Sequence, residues 1–119
     1  GAVTYCDEIK HSVLGVSQET LDRYTAVSFQ TAREMASGSL RLFQSDIAVS
    51  ATGYAGPGGG TDEDPAGTFY IGWACRTFDG DVPVADSTRC TFEGDRSYVR
   101  ACAVAEALER IECILDSME

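Results

Sequence analysis

One lysine, one histidine and one tryptophan stand in a chain of 119 residues. No stretch approaches the ~18 uninterrupted apolar residues that a bilayer span requires, so a membrane-crossing helix is not expected. The first residues carry neither the basic segment nor the apolar run of a secretory signal, which predicts a cytoplasmic chain. Positive charge is scarce: 9 Lys and Arg face 19 Asp and Glu, a formal net charge of −10. Nucleic acid and anionic membranes are poor partners for such a chain, because binding rows of phosphate depends on neutralising them with Lys and Arg. Eight of the basic residues are Arg, which leaves Lys10 as the single lysine. Paired cysteines are missing as well. Cys6, Cys75, Cys90, Cys102 and Cys113 are odd in number and contain no CxxC pair, which disfavours a zinc site or a disulfide scaffold; no metal and no cofactor are expected. They read as buried small hydrophobes in a reducing compartment. Cys102 and Cys113, three helical turns apart, are expected to share one buried face.

The length and composition fit one domain, residues 1–119, which buries roughly two-thirds of its unfolded surface. Gly1–Cys6 (GAVTYC) predicts a short buried strand. Asp7–Leu14 predicts a helix stopped by Gly15, and Ser17-Gln18-Glu19-Thr20 starts a second helical turn. Ser28 opens a longer helix with an apolar stripe of Phe29, Ala32, Met35, Ala36, Leu40 and Phe43. Gly38, in its middle, costs about 1 kcal/mol against Ala unless another backbone packs there. Asp46–Ser50 reads as a buried strand running into ATGYAGPGGG, all turn chemistry. An acidic run, Thr61–Pro65, precedes a β-rich run, Thr68–Arg76. Asp79-Gly80 signals a hairpin into a strand that includes Thr88–Phe92. Gly94–Glu119 is the strongest helix, N-capped by Asp95, with Val99, Cys102, Ala103, Glu106, Ala107, Arg110, Ile111 and Ile114 in register. The fold class is α/β, a mixed sheet with helices packed on it in two or three layers.

Three constellations could carry chemistry. The Ala51–Gly60 segment follows a strand, and its glycines let backbone N–H groups approach an anion or a carbonyl oxygen. It is neither GxGxxG nor GxxxxGK[ST], so it reads either as a surface loop or as a ligand loop with Thr52 at the strand end. Lys10 lies where the first strand meets a helix; a lysine desolvated there can serve as a general base, but residue type and spacing favour a solvated surface position, as they do for His11. Arg96 and Arg100 share a face in the first turns of the last helix, suited to a phosphate or carboxylate or else to surface carboxylates.

Four segments in order, VTYCDEIKHSVLGV from Val3, ETLDRYTAVSFQTAREM from Glu19, AVSATGYAGPGGGTDEDPAGT from Ala48 and GDRSYVR from Gly94, resemble the C-terminal domain of the CinA family. The family's pieces read approximately VxYSNEAKxxLLGV, ETLxxxGAVSEExAxxM, AVTGIAGPGGGxxxKPVGT and GDRxxIR. The resemblance implies a nicotinamide-nucleotide amidase, which hydrolyses the carboxamide of nicotinamide mononucleotide to the acid and ammonia. A small-molecule nucleotide is then the partner, and self-association is expected. It implies a serine nucleophile from an AESCTGG-type motif with Lys10 as its base, and a catalytic set of Lys10, Thr52 and Tyr5. Gly53, Ala55, Gly56, Gly58, Gly59 and Arg96 would hold the substrate, Arg96 on its phosphate.

The sequence departs from that pattern. The serine motif is expected about thirty residues before Gly1, so the domain reads as truncated at its N-terminus. Cys6-Asp7 replaces Ser-Asn, Phe29 replaces a Glu, and Asp64 replaces the loop lysine, where it would repel a phosphate if it faced the site. The alternative is a non-catalytic nucleotide-binding or protein-interaction domain of the same fold.

Overall fold

The helices form where local caps stop and start them. In the computed structural model, which describes residues 1–76 and 82–117, α1 spans Asp7–Leu14 and ends on Gly15 in the left-handed region, φ 73°. Helix α2, Gln18–Tyr24, starts at Ser17, whose side chain accepts the Thr20 N–H. Helix α3, Phe29–Phe43, starts at Ser28, which accepts the Thr31 N–H. Strands β1 (Ile47–Gly53), β2 (Thr68–Cys75) and β3 (Val84–Thr91) follow, and α4, Arg96–Ser117, closes the order. Asp95 Oδ1 accepts the Tyr98 N–H at 2.9 Å, the N-cap expected of it. The Asp79-Gly80 turn lies outside the described residues.

Both strand pairs are antiparallel, in the order β1-β2-β3. Central β2 is buried on both faces, the pattern of a strand with helices above and below. Its odd positions, Phe69 and Ile71, pack with Val99 and Ala103 of α4. Its even position Ala74 packs with Ala36 and Leu40 of α3. The α/β reading therefore resolves to three layers, α3 and α4 on opposite faces of the sheet.

Several expectations need correction. Residues 1–5 form no strand, with Val3 89 % and Tyr5 92 % exposed. A strand needs a partner, and a cleft of about 460 Å³, lined by both Ala2–Tyr5 and Val49–Ala51, lies where pairing with β1 would be. Ala51–Gly53 belong to β1 rather than to the turn, because they pair with Phe69–Ile71. In the α3 stripe Ala32, Met35, Ala36 and Leu40 are buried, but Phe29 and Phe43, at the helix ends, are nearly half exposed. The α4 buried line runs through Val99, Ala103 and Ile114. Cys102 and Cys113 sit one residue round from it, so Cys102 is half-buried and Cys113 exposed. Cys6 is exposed too, which leaves Cys75 as the buried thiol.

Two contacts join the helices. A Cβ on Gly38 would lie 1.7 Å from the Leu14 carbonyl oxygen, so the close backbone is there and α1 crosses α3 at that glycine. From α3, Glu34 accepts the Ser17 N–H at 2.9 Å and the Thr20 hydroxyl, capping α2 from a different element. Glu34→Ala should lower stability by about 1–2 kcal/mol, since an N–H and a hydroxyl lose a charged acceptor. The urea midpoint should fall at unchanged m-value; an unmoved midpoint would show that the cap is idle.

Candidate functional site

Lys10 is 7 % exposed, against the surface position that type and spacing favour. The residues before α1 fold back so that the Thr4 carbonyl accepts from Lys10 Nζ at 2.6 Å. The amine lines a cleft of about 260 Å³ with Ala51, Thr52, Gly53, Ala55, Phe69, Arg96 and Arg100. Two guanidinium groups and the Lys10 side chain thus meet there, and no carboxylate lines the cleft among the described residues. In a chain of charge −10, that is a local positive field suited to an anionic ligand.

Arg96 and Arg100 reach the cleft from the first turns of α4, and Arg96 Nη1 also donates to the Gly56 carbonyl at 3.3 Å. The glycine-rich segment arrives from β1: Tyr54 N–H continues the ladder onto Thr68 O at 2.9 Å before the chain turns. Gly53 and Ala55 line the cleft. Gly56 touches it through Arg96. Gly58 and Gly59 do not line it, and a Cβ on Gly58 would meet nothing within 4 Å, which puts it at an open loop tip.

The remaining expected catalytic residues lie differently. Thr52 is buried and its hydroxyl donates to the Ala26 carbonyl at 2.7 Å, so its proton is committed toward the α2–α3 connection. Alternation along β1 explains this, because Ser50 likewise donates to Ala32 O on the α3 side. Tyr5 lines the larger cleft beside Lys10 and is almost wholly exposed. Asp64 does not face the cations. Its carboxylate accepts from the Tyr70 hydroxyl at 2.9 and 3.0 Å and from Arg89 Nε at 3.0 Å. Burial, then the Asp64 carboxylate, pushes the Tyr70 phenol above its ordinary range. The cleft wall Phe69 and the Thr4 carbonyl went unnoticed in the sequence. Phe69 sits in a uniformly apolar run with nothing to mark it, and a backbone acceptor leaves no sequence signal.

Elsewhere the Cys90 thiol is pushed up to about 11, first by burial and then by the Glu106 charge, which makes it a poor nucleophile. Among the described residues no cluster of His, Cys, Asp and Glu could hold a metal, and no helix is long and apolar enough to cross a membrane.

Known proteins resemble this chain in sequence and in fold. The model of the CinA C-terminal domain matches residues 1–115. The nicotinamide-nucleotide amidohydrolase PncC of Enterobacter agglomerans is 46 % identical over 109 residues, 92 % of this chain and 63 % of that protein. A CinA-like protein of Endomicrobium trichonymphae is 45 % identical over 107 residues, 90 % of this chain and 24 % of that one. The chain thus spans about a quarter of the longer relatives and under two-thirds of the shorter. Among solved structures, the competence damage-inducible protein A of Klebsiella pneumoniae subsp. pneumoniae MGH 78578 superposes with a TM-score of 0.87 at 41 % identity, covering 98 % of this chain and 69 % of that one. A family model that spans nearly the whole chain and close structural relatives agree: this chain belongs to the CinA C-terminal domain family.

Proposed function

We propose that this domain is the lysine-bearing part of an amidohydrolase that converts the carboxamide of nicotinamide mononucleotide to the acid and ammonia. The observation that carries the reading is the meeting of buried Lys10 with Arg96 and Arg100 in one cleft that no carboxylate lines among the described residues. The nucleotide phosphate pairs with the guanidinium groups, at the N-terminal end of α4, where the helix dipole also favours an anion. The carboxamide then lies toward Lys10.

The serine comes from a segment outside these 119 residues, one that reaches Lys10 through the larger cleft between Ala2–Tyr5 and the free side of β1. Its oxygen bonds the carboxamide carbon while its proton passes to Lys10 Nζ. The C–N bond breaks as that proton reaches the departing ammonia. Water then attacks the ester, again giving its proton to Lys10, and the bond to the serine oxygen breaks as Lys10 passes that proton to it, releasing the acid and restoring the serine hydroxyl. Thr4 takes one hydrogen of the amine, and no other partner engages it among the described residues, so the group is held in place and open to a serine. Asp64 sits with Tyr70 and Arg89, which removes the repulsion expected of it.

Calorimetry on the 119-residue chain tests the binding half. Nicotinamide mononucleotide should bind, and Arg96→Gln should weaken it about tenfold, the loss of one charge-assisted contact. No heat with the wild type, or equal affinity in the variant, would overturn the assignment. A second reading, a binding or interaction domain without catalysis, is favoured by Cys6-Asp7 standing at the start of α1 where the family has Ser-Asn. A pure protein-interaction module would give no heat with either the nucleotide or its acid.

A further inference from the structure

The glycine-rich loop is fastened on the α3 side of the sheet, the side away from Arg96. Residues Ala55 and Gly56 lie on the α4 side, at the cleft and under Arg96. The loop then crosses to the α3 side, where Tyr70 and Arg89 are directly opposite each other in the β2–β3 register. Both oxygens of Asp64 take the Tyr70 hydroxyl, and Oδ1 also takes Arg89 Nε. Arg89 Nη2 donates in addition to the Glu63 carbonyl at 3.0 Å. Behind this, Thr61 closes a tight turn on Asp64 through its own N–H at 2.8 Å and through its hydroxyl, which accepts the Asp64 N–H at 2.9 Å. Tyr70 itself is 6 % exposed and meets Phe29 edge-on, ring centres 4.8 Å apart, so it is a rigid post.

We propose that Asp64, Tyr70 and Arg89 form a latch that positions the 54–67 loop and thereby sets ligand affinity at the Lys10 cleft; this rests on reading that cleft as a nucleotide site. None of the three lines the cleft, so they are positioning residues. The latch gives the acidic run a structural role, because a guanidinium and a phenol hold the carboxylate nearest the loop's return and turn it from the cleft. A lysine at 64 would meet Arg89 and lose both bonds, so Asp64 and Arg89 specify each other. Loosening the return end frees the loop to move about Gly56, and binding must then offset the entropy of ordering it.

The test uses the 119-residue chain in four forms: wild type, Asp64→Ala, Arg89→Asp, and the exchanged pair Asp64→Arg with Arg89→Asp. Amide hydrogen exchange over 54–67 and calorimetry with nicotinamide mononucleotide are read side by side. Each single variant should speed loop exchange and weaken binding by about tenfold, with protection of β2 unchanged. The exchanged pair should recover most of both. Unchanged loop exchange in Asp64→Ala overturns the latch, and a loosened loop with unaltered affinity overturns its coupling to the cleft. Absence of heat with the wild type itself sinks the functional reading instead; the latch then stands or falls on loop exchange and its recovery in the exchanged pair.

Discussion

Lys10→Met, made in the chain joined to a serine-bearing segment, is expected to cut ammonia release from nicotinamide mononucleotide about 10³-fold, within the range a positioned general base supplies. Nucleotide affinity should stay within about threefold, because the group acts on the serine proton rather than on the phosphate. Methionine fills much of the space the lysine stem occupies. It leaves the Thr4 carbonyl without its donor, a penalty of about 1–3 kcal/mol for a buried acceptor. A domain of this size holds roughly 5–15 kcal/mol, so the variant should still fold and unfold cooperatively at a lower urea midpoint. Loss of turnover with retained fold and retained binding is the signature of a proton-transfer role. Full turnover in the variant would remove Lys10 from the mechanism.

Gly72→Val should prevent folding outright. Gly72 lies in the middle of β2, opposite Ser50 of β1 and Ser87 of β3. A Cβ there would lie 2.1 Å from the Ala32 carbonyl oxygen and 2.5 Å from Ser50 Oγ, because α3 presses its backbone onto the sheet at this residue. Neither neighbour can yield cheaply. Ala32 is fully buried in α3, and Ser50 Oγ is already bonded to that same carbonyl at 2.6 Å. Separating helix from sheet along this line opens the Ala36–Leu40–Ala74 cluster as well. With backbone on one side and a bonded hydroxyl on the other, the cost should lie well above the ~1–3 kcal/mol of ordinary overpacking and reach the roughly 5 kcal/mol or more that such a domain holds in all. The variant should appear in inclusion bodies or show no cooperative transition, whereas a soluble protein with a midpoint near wild type would mean that α3 does not sit this close.

The parts of the fold legible in the sequence were those with local causes. Ser17, Ser28 and Asp95 cap helices through bonds to residues three away, and Gly15 ends α1 through its own backbone conformation. Gly38 announced a close backbone without saying whose. What failed was non-local. GAVTYC has strand composition, but strand formation depends on a partner, and β1 does not reach it. The acidic run carries no sign of a partner in the sequence. Asp64 found partners only because the β2–β3 register sets Tyr70 beside Arg89, six and 25 residues away in sequence. The site divided the same way. Arg96 and Arg100 were placed together by helical spacing alone. The burial of Lys10 depends on a carbonyl six residues earlier folding back over it, and the inward turn of the Thr52 hydroxyl on an acceptor 26 residues earlier; neither has a pattern in one dimension. The family resemblance, carried by TGYAGPGGG, singles out Lys10 where residue type and spacing do not.

On the proposed mechanism, these residues supply the base and the anion site of an amidase whose nucleophile lies on another segment. Ammonia release from nicotinamide mononucleotide by the chain extended with an AESCTGG-type segment at its N-terminus, compared with the same protein carrying Ala at that serine, tests it most directly. Turnover is expected in the first and none above background in the second; an extended protein that binds the nucleotide and releases no ammonia would rule out this mechanism.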